Sequence, residues 1–423
     1  MLTNSIIFQQ SKTFINLSEI HTDAELHIWA LYFDFQNLVN NNDDLPDIHV
    51  FLTSSFRNDF LVSIERNEYI VNDPRLLKAE LKTTQWEYLI DKLDSYSQLK
   101  TEEKTRLFKV LIRLCFYSLI LELSNSDKNC TDDNFNYEIL LAKYMLNMEE
   151  EHSFSIKELI EYALNIKGPS EIKVKLWYLV CQYYVKMDHQ LEKLQHYIKL
   201  YEISVVELEG TLSKNKSLEL NSRFHRMNAF VPQLNEDMEG MSVQMNLCEN
   251  LALKIRCNNS TEEVLKRSIL FPIFESRVKE YLIRNDLDRS IVFAEKLIDL
   301  QPNSGVGHML LGQLYAEKEQ YTLSKNAYLK SARLSPLTAE IAYFMAGQCA
   351  QQLNEYEEAI TYYTTSLTFD PEGYANYECL IELSKEIEDS ALEHWAEEAL
   401  KALEVEEEKE EKTLPYQEAM FKE

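Results

Sequence analysis

Three prolines near the C-terminal end, Pro302, Pro336 and Pro371, lie 34 and 35 residues apart and constrain this chain more than any other feature. Each closes a similar tripeptide: Leu300-Gln-Pro, Leu334-Ser-Pro and Phe369-Asp-Pro. Counting back from them, Tyr281 and Tyr315 fall in step, as do Gly312 and Gly347, and Tyr328 and Tyr363. Ser290, Ser324 and Ala359 align, and so do Leu287, Tyr321 and Tyr356. A period of this length describes a unit too short to bury its own apolar faces. Such units are stable only when stacked on one another and capped at both ends.

The residue types within one period specify a pair of antiparallel helices. His308, Leu311, Gly312 and Tyr315 are spaced i, i+3, i+4, i+7 and make one stripe on a first helix. Ser324, Tyr328 and Ser331 make the facing stripe of a second. The small residues permit close approach while the tyrosines fill the space beside them. Proline then removes a donor and disfavours helix just before it. A third period repeats this with Tyr343, Ala346, Gly347, Tyr356, Ala359, Tyr363, Ser366 and Pro371.

On these residues the segment 271–372 resembles three tetratricopeptide repeats. The first, 271–304, departs at Val278 and Leu297, where the pattern has Gly and Ala. The resemblance implies a right-handed α-solenoid whose first helices line a concave groove and hold a partner. The positions it implies as groove-facing are Glu275, Lys279, Leu282 and Ile283, then Met309, Gln313, Ala316 and Glu317, then Phe344, Gln348, Gln351 and Gln352. Family members that hold an acidic C-terminal peptide use Lys, Asn and Arg on this face, and Lys279 is the one such cation here. The candidate partner-binding set is therefore Lys279, Met309, Gln313, Phe344, Gln348 and Gln351. It suits an extended peptide bound through apolar pockets and amide hydrogen bonds. The competing reading packs the same face against the chain's own N-terminal half or tail.

The rest of the chain agrees with an all-α fold. Glycine occurs 8 times in 423 residues, against an average of roughly 7%. Sheet-rich and phosphate-cradling folds use glycine in tight turns and close backbone approach. Four regions are expected: an N-terminal domain over 1–130, degenerate helical hairpins over 131–270, the repeats with capping helices over 271–404, and an acidic tail over 405–423. The N-terminal domain reads as helices with one β-hairpin around Phe60–Val71, or as helices throughout. Within 131–270, Trp177, Val180, Cys181, Tyr184, Tyr197 and Leu200 keep repeat-like spacing, and the polar segment 211–240 suggests a long loop. Ala391, Trp395 and Ala399 mark the inner face of a capping helix.

A net charge of −27 disfavours nucleic acid and anionic membrane as general partners. The Lys/Arg-rich stretch 74–113 is interleaved with acids and reads as a solvated helix face. Seven scattered cysteines with no C-x-x-C pair suit a reducing compartment, so a cytoplasmic location is expected. Met227, Met238, Met241 and Met245 form a flexible apolar cluster, read as core or as an adaptable binding surface. No catalytic, metal or cofactor residues are assigned. The nearest candidate, His21-Thr-Asp23-Ala-Glu25-Leu-His27, reads as a helix cap before it reads as a metal site. The expected function is a protein- or peptide-binding helical-repeat adaptor or scaffold. The alternatives are a peptide-responsive bacterial regulator with an N-terminal effector domain, or a modifying enzyme with a metal site in residues 1–130.

Overall fold

The computed structural model describes residues 25–45, 84–114, 116–150, 156–188, 190–302, 304–335 and 339–404. Their regular structure is all helical, with no strand among the described residues. The stretch Phe60–Val71, the His21–Asp23 motif, Pro336 and the tail 405–423 lie outside them. The chain divides into two compact units, 1–284 and 285–423, and each is considered by itself. The division falls inside the first repeat read from the sequence.

The first unit begins with α1 (Glu25–Asn40), α2 (Thr84–Asp94), α3 (Thr101–Arg113) and α4 (Tyr117–Ser124). It continues with α5 (Asp133–Glu150), α6 (Ile156–Asn165) and α7 (Glu171–Tyr183), which ends in a π-helical turn, Tyr184–Asp188. Then come α8 (Leu191–Glu209), α9 (Lys214–Asn228), the short α10 (Phe230–Leu234), α11 (Met238–Leu253) and α12 (Ser260–Ile283). Successive helices pack as hairpins, α6 on α7, α7 on α8, α9 on α11 and α11 on α12. The repeat-like spacing around Trp177 produces an aromatic stack: Trp177 lies 5.9 Å from Tyr197, and Tyr197 lies 5.3 Å from Tyr184.

Two sequence expectations need correction in this unit. The polar segment 211–240 is not a long loop. Leu220, Phe224 and Met227 recur at i, i+4, i+7 and are all buried, so one apolar stripe suffices to seat α9. Ser213 caps that helix by accepting from the Lys216 amide, and Glu219 pairs with Arg223 at 2.9 Å. The described part of the basic stretch, from residue 84 on, is not simply a solvated face either. Arg113 donates to Asp34 at 2.7 Å with both side chains buried, and Lys104 and Lys92 bond Asp127 and Glu103 at 2.7 Å. These pairs fasten α3 to α1 and to its neighbours.

The second unit is a sequential array: α13 (Leu287–Leu300), α14 (Gly305–Glu317), α15 (Tyr321–Leu334), α16 (Ala339–Gln352), α17 (Tyr356–Phe369), α18 (Tyr374–Glu386), and α19 over 390–404. Each of α13 to α17 packs on the helix that follows it. A Cβ added at Gly312 would sit 2.6 Å from the Tyr328 ring, and one at Gly347 2.6 Å from the Tyr363 ring. Both tyrosines are fully buried. The serines add a second tie at the same period. Ser331 donates to the Gly305 carbonyl at 3.0 Å, and Ser366 to the Glu340 carbonyl at 2.9 Å.

One turn residue per period takes the left-handed conformation: Asn285, Glu319, Asn354 and Glu388, with φ of 57°, 57°, 57° and 58°. The spacing of 34 or 35 residues therefore persists through α18 and α19, past the last proline. In α19 the inner face is rotated from the expected one. Ala396 is fully buried, with Leu392, Ala399, Leu400 and Leu403 packed beside it, whereas Ala391 is exposed. Trp395 is 46% exposed and meets only the edge of the array, its ring 5.8 Å from Tyr377. A bulky indole does not fit the inner line that a small alanine at 396 can occupy.

Gly312→Ala and Gly347→Ala are each expected to cost about 1–3 kcal/mol, because the facing ring is buried and has nowhere to move. Gly210→Ala is the control, since nothing lies within 4 Å of its added Cβ. Thermal melts should show lowered midpoints for the first two and no loss for the third. Equal behaviour of all three would contradict this account of the packing.

Candidate functional site

Five of the six residues singled out from the sequence lie on α14 and α16 of the second unit. Phe344 is half-buried, its ring 5.8 Å from that of Tyr363 and tilted by 47°. Gln351 accepts a hydrogen bond from the Tyr363 hydroxyl at 2.8 Å. Tyr363 thus gathers Phe344 and Gln351 around one buried ring, and burial raises its phenol pKa far above the ordinary value. Gln348 is half-buried, one turn from Phe344, and Gln313 is exposed. Met309 is half-buried at the seam between repeats, where it packs against Tyr328 and Ala346 and against Ala332 and Ala342. This face offers an aromatic edge, a thioether and amides, with one amide already oriented from below.

Lys279 is elsewhere. It sits on α12 of the first unit, its side chain 61% exposed and paired with Glu275 at 2.7 Å. There it lines a cavity of about 480 Å³ that the sequence reading did not find. One wall is apolar: Met227, Met241 and Met245 are buried, with Phe230, Phe271 and Ile283 alongside. Three of the four methionines singled out from the sequence are therefore both core and cavity wall.

Other lining residues are polar. Gln182, from the last turn of α7, is 7% exposed, and its Oε1 has no hydrogen-bond partner. Lys186 comes from the π-helical turn that follows, and Arg226 from α9. Arg226 donates to the Tyr178 hydroxyl at 2.7 Å. The Lys186 ammonium has a pKa below the usual lysine value, first through desolvation and then through the nearby Arg226, with Glu275 opposing. Pro272 lies inside α12 on the same cavity and lacks an amide N–H, so the Ser268 carbonyl loses its i+4 donor. The π-helical turn that carries Lys186 is of a kind frequent at functional sites. No periodicity announces Gln182, Lys186 or Arg226, because α7, α9 and α12 meet only in the folded unit.

The carboxylates of the cavity are already engaged. Glu275 pairs with Lys279, and Glu280 pairs with Arg277 at 2.7 Å and accepts from Ser242. Arg223 is held by Glu219. Lys186 and Arg226 make no direct ion pair among the described residues, though Glu275 lies near enough to favour the charged form of each.

A family model described as Tetratricopeptide repeat matches residues 307–336 and 341–372, the second and third repeats. No curated protein matches the sequence significantly. Among solved structures, a human IFIT1 dimer with PPP-AAAA aligns over 98% of this chain and 99% of its own, at TM-score 0.50 and 12% identity. A STAND signal-transduction ATPase with a tetratricopeptide repeat sensor, from Pyrococcus horikoshii, aligns over 96% of this chain and 65% of its own, at TM-score 0.49 and 13% identity. MamA aligns over 43% of this chain and 95% of its own, at TM-score 0.33 and 18% identity. At such identities the likeness to IFIT1 concerns the all-helical repeat fold alone. The C-terminal part of the chain carries tetratricopeptide repeats. No helix among the described residues is long and apolar enough to cross a membrane.

His308, on α14, gives a direct check on burial in the repeat stripe. It is 5% exposed with Nε2 unpartnered, and burial, followed by Lys330, pushes its pKa down to about 4. The unfolded chain takes up this proton near pH 6.5 and the folded one only near 4, so stability falls as pH drops through that window. His308→Leu should therefore lose less thermal stability between pH 7 and pH 5 than the parent protein. An identical loss in both would contradict the assignment.

Proposed function

We propose that this chain is a helical-repeat adaptor that holds an extended segment of a protein partner on the first-helix face of its second unit. Met309, Gln313, Phe344, Gln348 and Gln351 supply the contacts. The observation that carries the reading is the link from Tyr363 to Gln351 at 2.8 Å beneath Phe344. A buried ring held by the repeat packing orients an amide before any partner arrives, which lowers the cost of ordering it on binding. One exposed and two half-buried glutamines on the same face as an aromatic edge and a methionine suit a peptide main chain and its apolar side chains. The free cysteines suit a reducing compartment, and the cytoplasm is part of the proposal.

The partner is a protein rather than a nucleic acid, because a net charge of −27 opposes a phosphate backbone wherever cations are not clustered. Affinity capture from the native host, followed by mass spectrometry, should return a partner with the parent protein. Phe344→Ala with Gln348→Ala should weaken that capture about tenfold or more while helical circular dichroism stays unchanged. The same partner recovered in the same yield by both would sink the assignment of this face. Single-stranded RNA with a 5′ triphosphate should not bind at physiological salt, and tight binding there would overturn the choice of protein over nucleic acid.

A further inference from the structure

The cavity of the first unit has no role in the adaptor reading, yet it combines three features rarely left unused. It is about 480 Å³, within the usual range of ligand pockets. Its polar residues include Lys186 and Arg226, neither in a direct ion pair among the described residues although Glu275, itself paired with Lys279, lies near both, and a buried amide oxygen, Gln182 Oε1, with no partner. Its apolar wall is built of Met227, Met241, Met245 and two phenylalanines.

Each feature specifies part of a ligand. Two neighbouring cations with no carboxylate at pairing distance favour an anion, and the planar guanidinium of Arg226 favours a carboxylate. A buried carbonyl oxygen is costly unless a donor reaches it, so the ligand carries an N–H close to that carboxylate. Methionine and phenylalanine walls accept an apolar side chain and adapt to its shape. Carboxylate, neighbouring amide N–H and apolar side chain together describe the last residue of a peptide chain.

We propose that this cavity binds the free C-terminal residue of a peptide ending in an apolar amino acid. Lys186 and Arg226 hold the carboxylate, Gln182 accepts from the terminal amide N–H, and the methionine wall takes the side chain. Lys279 and Glu275, paired at the rim, flank the path of the preceding residues. The π-helical turn at Tyr184–Asp188 places Lys186 close beyond Gln182, where both side chains line the same cavity. This site does not depend on the face of the second unit.

The full-length chain is titrated by calorimetry with acetyl-Ala-Ala-Phe, acetyl-Ala-Ala-Leu and acetyl-Ala-Ala-Met as free acids, with their C-terminal amides, and with N-acetyl-phenylalanine and octanoate. At least one free acid should bind, its amide at least tenfold more weakly. Lys186→Met, at an exposed position, should weaken the free acid at least tenfold. Gln182→Met should weaken the free acid similarly but leave octanoate, which has no N–H, unchanged. The tripeptide should bind at least tenfold more tightly than N-acetyl-phenylalanine, and equal binding would assign a free acylated amino acid and overturn the peptide. No heat from any free acid, or amides that bind as well, would overturn the site itself. The protein carrying Phe344→Ala and Gln348→Ala should bind the tripeptide as the parent does, which separates failure of this proposal from failure of the adaptor reading.

Discussion

The close seating of a tyrosine ring on a bare glycine is the contact on which the second unit depends. Tyr328 lies on Gly312 and Tyr363 on Gly347, each so near that one added carbon would overlap the ring. The rings are large and fully buried, so they contribute much of the apolar burial available to helices of only 13 or 14 residues. Because the ring cannot shift, its hydroxyl is fixed too. At Tyr363 that hydroxyl reaches Gln351 on the neighbouring helix. Core packing and the presentation of a surface amide are thus one arrangement, which ties the stability of the repeats to what they offer a partner.

The parts of the fold legible in the sequence were those written at a fixed period. Gly312, Tyr328, Gly347 and Tyr363 each meet the partner that the spacing pairs with them. The left-handed turn residues were legible only afterwards. Asn285, Glu319, Asn354 and Glu388 share one conformation but not one residue type, so no composition signal marks them. The rotated face of α19 was misread because a large aromatic, Trp395, attracts attention that belongs to the small Ala396. The helix α9 was misread because overall polarity hid a stripe of three apolar residues in a segment rich in Asn, Lys and Ser.

The two sites differed in legibility for a related reason. The face of the second unit is carried by two equivalent helices, so a resemblance at the level of one period brings its residues forward. The cavity of the first unit is made by α7, α9, α11 and α12, which follow no common pattern. Of its residues Glu275, Lys279, Ile283 and the methionines could be singled out, and for other reasons. The signal that points to it is local and weak: Gln182 and Lys186 lie four apart at the end of an aromatic helix, and the amide of Gln182 is buried there.

The proposed adaptor role turns on whether the first-helix face of the repeats, and not the opposite one, meets the partner. Site-specific photo-crosslinking in the native host tests it most directly, with p-benzoyl-phenylalanine placed at Gln348 on α16 or at exposed Thr361 on α17. The proposed role predicts a discrete crosslinked protein from position 348 and none from position 361. The same product from 361, with nothing from 348, would contradict it.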